Sequence, residues 1–316
     1  MDFKFDPVTP VVRSFEQITS DPLPKAPSLV DGLVRIRGRL MIGGEPGVGK
    51  TTLALQLALA LATGSSFLGL SVGRAFNVLY AQAEIETDLL EEKWEAQAKQ
   101  FPPPFGRLHS YTAMPWIWDE QVKLLVEVIE HLGIEVLFLD PLFAICPADD
   151  SNSNSQMSQF LRHTLDGLRQ YCDLKGLVVV HHFKKPQPGY SGSDVSSLSK
   201  LSGAGELGNW ADAFIGLLGT RQTADALIEF DKIRAFEPKE PMLVTRNANF
   251  VYEDAAWQLQ AIAKLLSDGE WHARDEVEAL GISHERSNKL LRDAIKLGEV
   301  EPDNKGGTKR IRLVKS

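Results

Sequence analysis

The stretch from Met41 to Gly64, MIGGEPGVGKTTLALQLALALATG, joins an apolar run to a long apolar helix through a turn of small residues. Gly44, Gly49, Lys50 and Thr51 fill the pattern G-x-x-x-x-G-K-[ST] in the setting that gives it meaning, after a strand and at a helix start. In such a turn the backbone N–H groups of residues 47–50 curl around phosphate oxygens. The helix N-terminus favours negative charge, Lys50 reaches the β and γ oxygens, and Thr51 offers a hydroxyl to Mg²⁺. Gly44, Glu45, Pro46, Gly47, Val48, Gly49, Lys50, Thr51 and Thr52 are therefore the expected nucleotide contacts, with ATP and Mg²⁺ as cofactors. The same turn serves kinases, switches, transporters and nucleic-acid motors, so the function has to come from the rest of the chain.

Apolar β-type runs recur downstream: NVLYAQAE (77–84), EVLFLD (135–140), GLVVVHH (176–182) and DAFIGLLG (212–219). Helical segments separate them, among them DEQVKLLVEVIEHLG and MSQFLRHTLDGLRQYCDLKG, the second expected to stop at Gly176. Continuous apolar strands alternating with helices indicate an α/β fold with a parallel sheet covered on both faces. ALIEFDKIRAF and PMLVTRNANFVYED then read as antiparallel strands around the turn EPKEP. Residues 1–27 are punctuated by prolines without a sustained period, and read as an extended arm or linker, either disordered or packed on a neighbouring subunit.

The pattern changes at Ala255. Three helical segments, AAWQLQAIAKLLSDG, ARDEVEALG and SHERSNKLLRDAIKLG, are followed by the strands EVEPDN and TKRIRLVKS around a KGG turn. Three helices and a basic hairpin resemble a winged helix, a form of the helix-turn-helix whose third helix lies in the major groove. The expected organisation is an arm (1–27), an ATPase domain (28–253) and a winged-helix domain that binds DNA or a protein partner (255–316).

A phosphate loop needs an acid at the end of another strand to hold the metal, and Asp140, closing EVLFLD, fits. Many ATPases place the water-activating glutamate directly after this aspartate, but here Pro141 stands there. The base must come from elsewhere. Glu84, at the end of NVLYAQAE, is the candidate, with Glu86 two residues on as the alternative.

GEPGVGKTT, LYAQAE, FLDPL and VVVHHFKK together resemble the RecA-like hexameric helicases of plasmid replication, the RepA type, and their relatives DnaB and KaiC. The resemblance covers roughly residues 28–253. It implies that His182 senses the γ-phosphate and relays its state to nucleic-acid loops; without it, His181 and His182 are a buried hydrogen-bonding pair. It implies that the polar segment 183–214, with Lys184, Lys185 and Lys200, lies where family loops line a ring channel and track single-stranded DNA; by composition alone it is a solvated loop. It further implies that Lys232 and Arg234, a K-x-R element, enter the ATP site of the neighbouring subunit and stabilise charge on the transferred phosphoryl group. Without the resemblance they are cations that discourage pairing at a sheet edge. The chain departs from the larger DnaB enzymes in having only a short arm before its ATPase domain.

Composition narrows the partners. A net charge of −8 excludes a protein that coats nucleic acid over its whole surface. Between 286 and 316, however, nine basic residues face four acidic ones, and Arg286, Lys289, Arg292, Lys305, Lys309, Arg310 and Arg312 are the candidate contacts of a polyanion such as duplex DNA. The two cysteines, Cys146 and Cys172, have no metal-ligand spacing. Leu53 to Ala62 is too short to span a bilayer, and MDFKFDPVTP lacks a secretory-signal pattern, so a cytoplasmic protein without membrane contact is expected. The reading that follows is an ATP-driven hexameric motor on DNA. The alternatives are a recombinase-like or regulatory ATPase of the same fold, and a winged-helix DNA-binding regulator whose oligomeric state ATP switches.

Overall fold

The computed structural model describes residues 11–113, 116, 118–146, 154–183, 198, 204–219, 225–254, 272–273, 300–303 and 310–313. Its packing divides the chain into a first unit, Met1–Glu253, and a second, Asp254–Ser316.

The first unit begins with α1 (Phe15–Ser20), a short helix inside the arm that the sequence reads as extended. Its cause is local: Ser14 and Gln17 form a reciprocal capping box that satisfies two helix-end donors. A hairpin of β1 (Ser28–Val30) and β2 (Val34–Arg35) follows. The core elements are β3 (Gly38–Gly44), α2 (Lys50–Thr63), β4 (Val78–Gln82), α3 (Thr87–Ala98), β5 (Leu108–Thr112), α4 (Trp118–Leu132) and β6 (Val136–Asp140). After them come α5 (Leu142–Ile145), α6 (Asn154–Gln159), a π-helical stretch Phe160–Leu165, α7 (Asp166–Tyr171), β7 (Gly176–His182), α8 (Ala204–Trp210) and β8 (Ala213–Gly219). The strands β9 (Asp225–Ile233), β10 (Met242–Arg246) and β11 (Tyr252–Asp254) complete the unit.

Nine strands form one sheet in the order β11-β10-β9-β8-β3-β7-β6-β4-β5. From β8 to β5 neighbouring strands run parallel, while β9 pairs antiparallel with both β8 and β10. Alternation along the strands sorts the core onto two faces. Leu40, Ile42, Val78, Tyr80, Phe138 and Val180 pack with α2 and α3, and Met41, Leu79, Leu139 and Val179 pack with α4, α5, the π stretch and α8. Two expectations need correction. The helix ends at Tyr171, and Gly176 is the first residue of β7, not a helix stop. A Cβ at Gly176 would lie 2.5 Å from Leu29 Cδ2, so any side chain there would displace the buried Leu29 of the β1 hairpin. The edge strand β5 is missing from the sequence reading because LHSYT is half-buried and lacks an apolar run.

In the second unit, β12 (His272–Ala273), β13 (Val300–Asp303) and β14 (Arg310–Leu313) form an antiparallel sheet in the order β12-β14-β13. The β13–β14 pairing matches the hairpin read from the sequence, and β12 is an addition to it. The three expected helices lie outside the described residues, as do Lys184, Lys185, Lys200, Arg286, Lys289, Arg292, Lys305 and Lys309. Arg310 and Arg312 occupy β14.

The last strand of the first unit is fastened to the phosphate-loop helix by one side chain. Gln56 of α2 accepts from Tyr252 N at 2.8 Å and donates to Tyr252 O at 2.8 Å, and all of these groups are buried. Replacing it with leucine of similar volume strands both backbone groups. Gln56→Leu is expected to cost about 2–4 kcal/mol, read as a lower urea midpoint for the first unit with an unchanged slope.

Candidate active site

The site is built at the carboxyl ends of β3, β4, β6 and β7. Strand order decides this: β7 lies between β3 and β6, and β4 lies on the far side of β6. The register sets His182 directly beside Gly44, and Gln82 beside Asp140. Leu139 pairs with Val179, so β3 and β7 run two residues past the ends of β4 and β6, and Glu84, two residues after Gln82, comes level with His182 beside the loop 44–51.

The loop turns from β3 into α2 with Gly49 at the N-cap, φ 104°. A side chain there would be strained by this φ, and its Cβ would fall 2.2 Å from the Tyr252 hydroxyl. Tyr252 itself donates to Val48 O at 3.2 Å, so β11 buttresses the loop from behind. Lys50 is buried and donates to Glu45 O at 2.8 Å, holding the ammonium at the inner side of the turn. Thr51, half-buried in the first turn of the helix, hydrogen-bonds to Asp140. Thr52 is buried, and its carbonyl accepts from the buried Gln97 of α3 at 2.9 Å.

Asp140 is almost fully buried, and its carboxylate is held by Tyr80 and Thr51; the Tyr80 hydroxyl donates to Oδ2 at 2.5 Å. Burial pushes the Asp140 carboxyl up, against the hydrogen bonds of Tyr80 and Thr51. Burial, reinforced by the Asp140 charge, pushes the Tyr80 phenol well up, so it remains a donor. A carboxylate joined to a hydroxyl is a hard-oxygen donor pair that suits Mg²⁺, which takes one or two protein ligands and completes its shell with phosphate and water. Among the described residues no group of three or more His, Cys, Asp or Glu is placed to hold a metal.

Glu84 follows β4 on a turn shaped by Gln82. The buried Gln82 amide donates to Ile85 O and accepts from the backbone N–H groups of Glu84 and Ile85, the latter at 3.0 Å. Glu84 is left half-exposed with its Oε2 3.6 Å from His182 Nε2. Burial, and then the Lys50 charge, lower the His182 pKa, against the pull of Glu84, so the ring is neutral near pH 7. Glu86 instead occupies the N-cap of α3 and makes no side-chain capping bond there. His181 is buried on the strand behind. Chemically, the cluster offers a carboxylate able to take a proton from water, a neutral imidazole beside it, and a lysine within the electrostatic reach of both.

Lys232 and Arg234 are not part of this cluster. β9 runs antiparallel to β8, so its end lies at the opposite end of the sheet. Arg234 ion-pairs with Asp212 at 2.7 Å and donates to Asn209 O at 3.0 Å, and Lys232 donates to Gly208 O. Arg39, at the start of β3, shares the same Asp212 at 2.9 Å and reaches Asp166 at 3.1 Å. Backbone bonds from Arg234 to Asp212 and from Asp212 to Arg39 set this network five residues before Gly44, about 16 Å along the strand at roughly 3.3 Å per residue. Burial lowers the Lys232 pKa, as does the Arg234 charge.

The residues that sequence reasoning missed are Tyr80, Gln82, Arg246 and Tyr252. Arg246 Nη1 lies 3.8 Å from the point where a Gly49 Cβ would stand, and its guanidinium sits 5.7 Å from the Phe250 ring centre, with Lys93 5.4 Å from the same ring. Position was a signal for two of them: Gln82 and Arg246 each close a strand, whereas Tyr80 stands mid-strand and Tyr252 opens one.

A strand–loop–helix phosphate cradle at the carboxyl edge of a largely parallel sheet, with an acid at the end of a second strand, defines a P-loop ATPase of RecA-like fold. The sequence profile of the AAA_25 family, described as an AAA domain, matches residues 6–188, and the chain belongs to that family. Among solved structures it is similar to an ATPase domain, with a TM-score of 0.54 and 14% identity over 69% of this chain and 84% of that one, a likeness of fold. No curated protein matches. Among the described residues, no helix is long and apolar enough to cross a membrane.

Glu84→Gln is expected to keep nucleotide binding and to slow hydrolysis by about 10²- to 10⁴-fold, measured as single-turnover phosphate release beside the affinity for a fluorescent ADP. Near-normal release would transfer the role to Glu86 or another group.

Proposed function

We propose that this chain is an ATP-driven motor that acts on DNA as a ring, of the kind found in the replicative helicases of plasmids and phages. The observation that carries the reading is the separation within one subunit of the two halves of a complete phosphoryl-transfer site. Lys50, Thr51, Asp140, Glu84 and His182 stand at the carboxyl end of the parallel strands, whereas Lys232 lies level with Met41 in the middle of β3 and Arg234 level with Arg39 near its start. Cations about 10 to 16 Å down the strands from their own phosphate loop, and held there by Asp212 and the Gly208 carbonyl, serve a phosphate when the next subunit brings its loop to them. The likeness to RepA-type helicases supports the same assembly.

In this mechanism residues 44–52 wrap the phosphates, and Lys50 neutralises the β and γ oxygens. Thr51 and Asp140 hold Mg²⁺, which supplies charge neutralisation on the phosphate oxygens when bound. Glu84 orients the attacking water and takes its proton. His182, beside Glu84 and next to the segment that begins at Phe183, couples the state of the γ-phosphate to the loop that carries Lys184, Lys185 and Lys200. The neighbour's Arg234 and Lys232 stabilise negative charge on the transferred group. Exchange of Arg234 from its own Asp212 to a neighbour's phosphate makes the ion pair part of the cycle. The basic β13–β14 hairpin, Arg310 and Arg312 included, together with Arg286, Lys289, Arg292, Lys305 and Lys309, forms a winged-helix contact for duplex DNA.

Single-stranded DNA is expected to raise the ATPase rate at low salt, with the stimulation falling as salt rises, and ring particles are expected by electron microscopy. A rate indifferent to DNA in a particle the size of one chain would overturn the motor. Arg234→Ala subunits, inactive alone, are expected to regain hydrolysis when mixed with Lys50→Ala subunits, because one mixed interface then holds an intact loop and an intact arginine. Mixtures with no activity would remove the in-trans role.

A further inference from the structure

We propose that Tyr80 is a positioning residue for the metal ligand Asp140, fixing the orientation of its carboxylate through the phenol. The inference rests on the reading of Asp140 as the Mg²⁺ ligand and extends it to a residue that lies outside the phosphate loop and its motif partners. Tyr80 is fully buried on β4, and its Oη lies 2.5 Å from Asp140 Oδ2. The register pairs Tyr80 with Phe138, so Asp140 is the diagonal neighbour two residues further along β6, within reach of a long side chain. The ring has little freedom to leave. It stacks on Phe138 with centroids 5.4 Å apart and meets Trp94 edge-on at 5.7 Å.

The chemistry of the donor matters. A carboxylate buried beside a phosphate site must have hydrogen-bond partners, or burial would drive it to its neutral form. A lysine or arginine in the place of Tyr80 would satisfy it by cancelling its charge. A phenol satisfies one oxygen and leaves the negative charge for a cation, while Thr51 bonds the same carboxylate from the loop side. The arrangement matches the general role of outer partners that orient metal-ligating carboxylates. Tyr80→Phe keeps the ring, and therefore the stack and the edge contact, and removes the donor alone.

The test uses the full chain with ADP and Mn²⁺ as a paramagnetic probe of the metal position, bound Mn²⁺ being followed by electron paramagnetic resonance. Tyr80→Phe is expected to weaken Mn²⁺ binding by about 10- to 100-fold, with ADP affinity in EDTA unchanged. The double variant Tyr80→Phe/Asp140→Asn is expected to bind Mn²⁺ no more weakly than Asp140→Asn alone, since the phenol acts only through the carboxylate. Trp94→Phe, which disturbs the packing of the ring and spares the hydroxyl, is expected to lower stability and leave Mn²⁺ affinity in place. Unaltered Mn²⁺ binding in Tyr80→Phe, while Asp140→Asn loses it, overturns the role of Tyr80 and keeps Asp140 as ligand. Unaltered binding in Asp140→Asn overturns both. Equal losses in Trp94→Phe and Tyr80→Phe assign the effect to packing and overturn the proposal.

Discussion

Helix α2 has no polar face to give to water, and the rest of the first unit encloses it. Twelve of its 14 residues are buried, including Lys50, Thr52 and Gln56. A helix apolar all round is stable only inside a protein, so the sheet must cover one side and α3 another, with β11 fastened along it through Gln56. Burying this helix carries its N-terminus, and therefore the phosphate loop, to the carboxyl edge of the parallel strands. The catalytic side chains have no such constraint of their own. They stand where they do because their strands are paired to the strand that feeds α2.

The charges around the loop are balanced locally. The Lys50 and Glu84 charges act in opposite senses on both Asp140 and His182 in a partly dry setting, where each unit charge counts for more than in water. Burial works against the ionised forms of both Asp140 and His182, opposed at Asp140 by hydrogen bonds from Tyr80 and Thr51 and at His182 by Glu84, and burial prevails in direction at both. A cation at Asp140 would favour its charged form, and the imidazole stays neutral. The far-end network solves the opposite problem. There Arg39 and Arg234 converge on Asp212, whose own pKa burial would raise but whose arginine partners bring down, and while Arg39 is largely buried Arg234 stays exposed.

The parallel core was legible because its strands are buried on both faces and read as continuous apolar runs; LMIGG, VLYAQ, VLFLD, LVVVHH and AFIGLLG each became a strand. The phosphate loop was legible because its chemistry dictates residue types at fixed spacing. Pro141 fills the position after Asp140 with a residue that cannot act as a base, and Glu84 stands facing His182. What escaped was of two kinds. Half-buried or local features leave no long-range period: β5 is one, and the capping box at Ser14 and Gln17 is another, visible as S-x-x-Q but unremarked among prolines. Tyr80, Gln82, Arg246 and Tyr252 hide differently. Tyr80 reads as one more apolar residue of its strand, and Tyr252 meets Val48 only because β10 and β11 fold back across some 200 residues of chain.

Tyr252 also has a mechanical meaning. The first unit ends at Glu253, one residue beyond it. The strand at which that unit ends is riveted by both backbone groups of Tyr252 to the phosphate-loop helix, and by its hydroxyl to the loop carbonyl of Val48. A pull on the chain at residue 254 therefore has no slack to take up before it bears on the nucleotide cradle. A shift of the cradle, in return, is felt at once where the chain leaves the sheet, so β11 acts as a short lever with the phosphate loop at one end.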